Sequence, residues 1–187
     1  HQACASGATG VQVGSNFALA QESAIKPAFR AAILDRIKKG IEDAALVKTT
    51  LFSPTGFPFK VVQLDDTVAH EAVFAARRRV CDLGLLQRIG LSKPAADGTR
   101  RLFQRCRAAP LSDFATKRGL QRNTEAQRCL CNGLVSCVGL GQVRNQGGQR
   151  VEEPAIVTLG NHLDGVRRLS RQGQVQYHVE DVVADIL

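Results

Sequence analysis

Two groups of residues in this chain are of types and spacings that could do chemistry. The first is Gln12-Val13-Gly14-Ser15, within GATGVQVGSNFAL at residues 7 to 19. Glycine lets backbone come close to a ligand, and free N–H groups at the start of a following helical turn point at an anion. On spacing alone the four residues fit a phosphate-binding turn or a plain tight turn. The second group is Cys81, Cys106, Cys129 and Cys131. Four thiolates can hold zinc tetrahedrally, and with no open position left such a site would be structural. The spacing argues the other way. Cys129-x-Cys131 is tighter than the usual CxxC, and 24 and 22 residues separate Cys81 from Cys106 and Cys106 from Cys129. Small, buried, reduced thiols without metal are the expectation.

The elements that would position these residues can be read from pattern. Ala8 to Val13 has the small and β-branched residues of a short buried strand, ended by Gly14-Ser15. Pro27 suits a helix start, and Phe29, Ile33, Ile37 and Ile41 recur at i+4, which predicts an amphipathic helix with Gly40 near its stop. TTLFSPTGFPFK, from Thr49, predicts an irregular crossing. A strand is expected over Lys60 to Leu64 and a helix over Thr67 to Cys81. Residues 88 to 123 read as loop-rich and basic. A helix capped by Asn123 or Thr124 is expected through EAQRCLCNGLVSCVGL, a turn over Asn145 to Gln149, a short helix capped by Asn161, and a terminal helix over Val179 to Leu187.

Composition narrows the classes. No apolar run approaches the roughly 18 to 20 residues of a membrane span, no signal peptide is evident, and irregular cysteine spacing speaks against a secreted disulfide scaffold. Reduced thiols in a cytoplasmic protein are expected, with no membrane partner. The chain begins with His1 and has no methionine, as a piece of a longer protein would. Its net charge is +8, with arginines grouped at 77–79, 100–107 and 167–171. Eight Phe and one Tyr are not interleaved with them as stacking platforms would be. A solvated surface is therefore preferred to a nucleic-acid footprint, and no nucleic-acid partner is expected. A basic, zinc-stabilised nucleic-acid-binding module is the alternative of another class.

In combination the segments are more specific than singly. GATGVQVGSNFALAQES, SPTGFPFKVVQL, RRRVCDLG, RCLCNGLVSCVGLGQ and EPAIVTLGNHL, in this order, resemble the carboxyl-terminal part of the long nitronate monooxygenase-like flavoproteins, formerly called 2-nitropropane dioxygenases. The resemblance implies an α/β fold: the last βα unit of an FMN-binding TIM (β/α)8 barrel at residues 1–48, then a mixed, loop-rich extension at 49–187. It implies FMN as cofactor, its phosphate cradled by Gln12, Val13, Gly14 and Ser15, with Ser15 standing where Thr is more usual. An alkyl nitronate and O2 would be the substrates, and a flavin-dependent enoyl-thioester reductase is the alternative within flavoenzymes. The resemblance puts the catalytic histidine and a Gly-rich loop before His1. His1, His70, His162 and His178 do not match that position, no catalytic residue is assigned, and the chain alone is expected to be inactive.

Overall fold

The computed structural model describes residues 2–117, 120, 124–171 and 176–187. Among them the elements run α1 (Gln2–Ala5), α2 (Ser15–Ala18), α3 (Pro27–Lys38), α4 (Asp43–Leu46), β1 (Val47–Thr50), β2 (Phe59–Val62) and α5 (Glu71–Ala76). After these come β3 (Arg88–Leu91), β4 (Leu102–Arg105), α6 (Leu111–Thr116), α7 (Leu130–Cys137), β5 (Val143–Gln146), β6 (Gln149–Glu152), α8 (Asp164–Arg171) and α9 (Val179–Ile186).

The barrel expectation is overturned. The described strands form three separate two-stranded antiparallel hairpins, β1–β2, β3–β4 and β5–β6, with no parallel sheet among them. Residues 8 to 13 are irregular rather than a strand. Their side chains are mostly exposed, Val11 at 55%, and among the described residues no neighbouring strand accepts their backbone hydrogen bonds. Two valines, Val11 and Val13, preceded by Gly10 offer too little apolar surface to hold a buried strand. After α3 and the short α4 the chain turns into β1, which pairs backwards with β2 rather than returning alongside a first strand.

α3 forms as expected. Pro27 opens it, Phe29, Ile33, Leu34 and Ile37 are buried along one face, and Gly40 follows at φ +76. That left-handed backbone is the ordinary helix terminator, so Ile41 falls beyond the helix and is 39% exposed. The buried face of α3 meets Leu163, Val166 and Leu169 of α8 and its lead-in, with Leu19, Leu46, Val62, Tyr177 and Val182. This core joins side chains from both sides of residue 48. Tyr177, 1% exposed, donates its hydroxyl proton to the Asn16 carbonyl at 2.7 Å, and Gln21 N–H donates to Tyr177 O at 2.9 Å.

Residues 154–159 have no regular assignment yet run through the centre. Val62 N–H donates to Val157 O at 2.9 Å, Val68 N–H to Ala155 O at 3.1 Å, and Ile156 N–H to Gly133 O at 2.9 Å. The segment thereby ties β2, the chain before α5, and α7 together. Ile156 belongs to a second cluster with Val61, Val68 and Leu130, against which Phe52, Phe74 and Leu134 pack.

Other expectations hold in part. The 67–81 helix shortens to α5, and the 125–140 helix to α7, where Cys129 rather than Thr124 stands at the N-cap; Asn123 lies outside the described residues. The turn at Asn145–Gln149 is a tight hairpin whose two central residues, Gly147 and Gly148, have φ of +59 and +86. Both positive values match the turn type whose twist suits a hairpin.

α4 and α8 are linked by Asp43, which accepts from Leu163 N–H at 2.9 Å and pairs with Arg167. Partial burial raises its pKa, but the Leu163 and Arg167 hydrogen bonds and the Arg167 and His162 charges outweigh it, so the carboxyl titrates below its ordinary 3.8. A carboxylate lowered on folding contributes stability that is present above the unfolded value and lost as pH falls through the folded one. Asp43→Asn should therefore be less stable at neutral pH and show a shallower loss of stability below about pH 4. Urea midpoints across that range check it; parallel curves for the two proteins would refute it.

Candidate functional site

The segment Gln12-Val13-Gly14-Ser15 lines a cleft of about 710 Å³, inside the range of roughly 300 to 1,000 Å³ for small-molecule sites. Asn16 and Ala18 of α2, Lys60 of β2, and Thr158 to His162 complete the lining. Three stretches remote in sequence meet there. Gly160 N–H donates to Ser15 Oγ at 2.8 Å. Lys60 Nζ donates to Asn161 Oδ1 at 2.6 Å, and Thr158 Oγ1 donates to Lys60 O at 2.7 Å. The buried 154–159 segment is the rail that delivers the last two contacts to the cleft.

Each group has capacity left for a ligand. Ser15 Oγ accepts from Gly160, which leaves its own proton to donate. Lys60 uses one of three ammonium protons on Asn161. The N–H groups of the first turn of α2 have no partner within the helix. One turn carries little macrodipole, so the positive charge of the site is Lys60. Gly14 has φ −115 and ψ −61, and a Cβ built there meets nothing within 4 Å. The space above that residue is open cleft.

All four sequence-derived residues of this group thus stand together on one wall. Lys60, Thr158, Asn161 and His162, which the sequence reading did not assign, form the other. They sit in FPFKVV and EPAIVTLGNHL, segments whose distinctive composition was visible but whose meeting with residue 15 was not. No catalytic role falls to the histidines. His178 Nδ1 pairs with Glu22 Oε1 at 2.7 Å while its N–H donates to Asp181, which fastens the start of α9.

The four cysteines also come together. Cys106, after β4, and Cys129, at the start of α7, are buried beside Ala108 and Ala109, and the half-buried Cys81 and Cys131 pack against them. All six cysteines are free thiols. Burial pushes Cys106 up to about 11 against the pull of the Ala108 N–H, with Cys81 and Cys131 pushing the same way. Burial likewise pushes Cys129 up to about 11, against the Asn132 N–H and the Arg77 charge. Among the described residues no three His, Cys, Asp or Glu side chains stand in an arrangement that could hold a metal ion.

Many of the arginines are engaged within the chain. Arg77 and Arg144 both pair with Glu153, Arg167 with Asp43 and Arg168 with Asp185. Arg128, 3% exposed, lies 4.0 Å from the Phe52 ring centre and 3.5 Å from that of Phe74, and it pairs with Glu71 at 2.6 Å. The Arg–Phe stacking absent from the sequence pattern is therefore internal packing. Among the described residues no helix is long and apolar enough to cross a membrane.

Compared with family models, curated proteins and solved structures, the chain finds no match.

Proposed function

We propose that the cleft takes the phosphate of FMN and that the chain belongs to an FMN-dependent oxidoreductase of the nitronate monooxygenase type, the phosphate being gripped by an irregular segment. The observation that carries this reading is the meeting of Ser15, Lys60 and the open space over Gly14 in one cleft. A phosphate monoester carries up to two negative charges and needs donors without competing carboxylates. The lining contains no Asp or Glu and offers one ammonium, one hydroxyl and backbone N–H groups. The donor set fits the group.

When bound, the flavin would supply the redox chemistry, accepting electrons from an alkyl nitronate and passing them to O2. The chain's own residues bind and orient. Lys60 Nζ neutralises phosphate charge while Asn161 holds the ammonium in place, and Ser15 donates its hydroxyl proton to a phosphate oxygen while Gly160 fixes that hydroxyl. Gly14 leaves the approach clear. Six free thiols fit a reducing compartment and support a cytoplasmic setting.

The phosphate is the part to test. FMN should bind the chain weakly and riboflavin, which lacks the phosphate, roughly 10- to 100-fold more weakly, since a hydrogen bond to a charged group contributes about 1.5 to 3 kcal/mol. Gly14→Val should abolish the difference without changing the urea midpoint, because the new side chain enters open cleft. Flavin fluorescence titration reads both. Equal affinity for FMN and riboflavin would sink the assignment.

A further inference from the structure

The four thiols packed between β4, α7 and the chain after α5 have a feature that small buried hydrophobes do not explain. Two buried donors on the chain that leads into Cys81 lack an acceptor. Arg77 Nη2 and Arg79 Nη1 are buried and have no hydrogen-bond partner. Arg77, its side chain 4% exposed, uses Nε on Glu153, and Arg79 uses Nη2 on Thr124 O. The charge of Arg77 is felt at Cys129, and that of Arg79 at Cys106. The Gln87 side-chain amide donates to the Cys81 sulfur at 3.5 Å, and the Ala108 and Asn132 N–H groups favour charge on the Cys106 and Cys129 sulfurs. Buried cations with spare protons, and amides aimed at sulfur, are what surround an anionic sulfur centre; four neutral thiols would leave them unpaired.

We propose that Cys81, Cys106, Cys129 and Cys131 are the ligands of one structural zinc ion. Each thiol gives up its proton as its sulfur bonds to Zn²⁺, so four thiols and one ion yield a tetrathiolate of net charge −2 and four protons in solvent. No electrons move. Arg77 and Arg79 balance that charge, and their spare N–H groups donate to thiolate sulfur. Drawing the sulfurs to about 2.3 Å from the ion asks for side-chain rotation and a closing of the loops that carry them. All four are already in one packed group, so no element has to cross the fold.

The surrounding chain also needs such a centre. Among the described residues between α5 and α7 the buried apolar side chains at the cluster are Cys106, Ala108, Ala109 and Cys129, which bury little surface. The β3–β4 hairpin they anchor leaves Ile89 69% and Leu102 73% exposed, and a lone two-stranded hairpin is marginal in water. Small segments without a core are commonly held by a metal in its place. With four protein ligands no position is open for substrate, so the role is structural and independent of the flavin reading.

Elemental analysis of the 187-residue chain purified without chelator should find one zinc per molecule. Cys129→Ser with Cys131→Ser, and separately Cys81→Ser with Cys106→Ser, should lose it, while the exposed Cys4→Ser keeps it. Because either double variant may also fail to fold, the unmutated chain should be reloaded with cobalt. The visible absorption of a tetrahedral tetrathiolate centre is expected. Absence of zinc, a cobalt spectrum with fewer than three thiolates, or alkylation and mass measurement showing a disulfide among the four would each overturn the proposal.

Discussion

Glu153→Ala will lower the free energy of unfolding by about 3 to 5 kcal/mol, the cost of breaking a buried ion pair from one side. The Glu153 carboxylate is 2% exposed and sits between two guanidinium groups, Arg77 Nε at 2.5 Å and Arg144 Nη1 at 2.6 Å. The backbone of the same residue is also fixed, its carbonyl accepting from Ser136 Oγ at 2.5 Å and its N–H donating to Gln142 O at 2.8 Å. Truncation removes the carboxylate that pairs with Nε of Arg77, a side chain only 4% exposed and closed to compensating water. Arg144 is better placed, since it keeps Asp82 at 2.5 Å. The loss therefore belongs mainly to Arg77. Glu153→Gln, which still offers one oxygen, should lose less than the alanine variant. Urea unfolding with an unchanged slope measures both. A loss below about 1 kcal/mol, as for a surface pair, would contradict the description.

Gly133 and Ile156 will behave as one packing unit. A Cβ on Gly133 would lie 2.7 Å from Ile156 Cγ1 and 2.9 Å from its Cδ1. Ile156 is fully buried and its N–H is tied to Gly133 O at 2.9 Å, so neither partner can retreat. Overpacking of this kind costs about 1 to 3 kcal/mol, set against roughly 1 kcal/mol gained by removing a glycine from a helix interior. Gly133→Ala should thus be neutral to destabilising by about 2 kcal/mol. Ile156→Ala alone should cost roughly 2 to 5 kcal/mol through the cavity it opens. In the double variant the new methyl group enters that cavity, and the combined loss should fall short of the sum by about 1 kcal/mol or more. Simple additivity would mean that the two residues are not in the contact described.

What the sequence made legible was local. The i+4 spacing of Phe29, Ile33 and Ile37 and the Pro27 start define α3 without tertiary information, and Asn145-Gln-Gly-Gly announces its hairpin. What failed was long-range. Six residues before Gly14 look like a strand because strand propensity reflects fit to a neighbour, and no neighbour pairs with them. Half of the cleft was legible, because Gly-Ser turns signal themselves. Lys60 and Asn161 were not, since their approach to Ser15 depends on how residues 154–159 thread the core. The thiols were visible as four cysteines, but irregular spacing hid their gathering. Glu153, Arg77 and Arg144 lie far apart in sequence and give no pattern at all.

The threading of the core has a consequence for how the chain is made. Leu19, Ile33 and Ile37 find their burial against Leu163, Val166 and Val182, and Asn16 accepts its hydrogen bond from Tyr177. Contacts of such large sequence separation must wait for loop closure, which slows folding. During synthesis the apolar face of α3 leaves the ribosome long before its partners exist. At about 5 to 20 residues per second, the interval before residue 182 appears is on the order of ten seconds. Through that time the helix carries an uncovered hydrophobic stripe, a surface open to aggregation or chaperone capture until α8 and α9 follow.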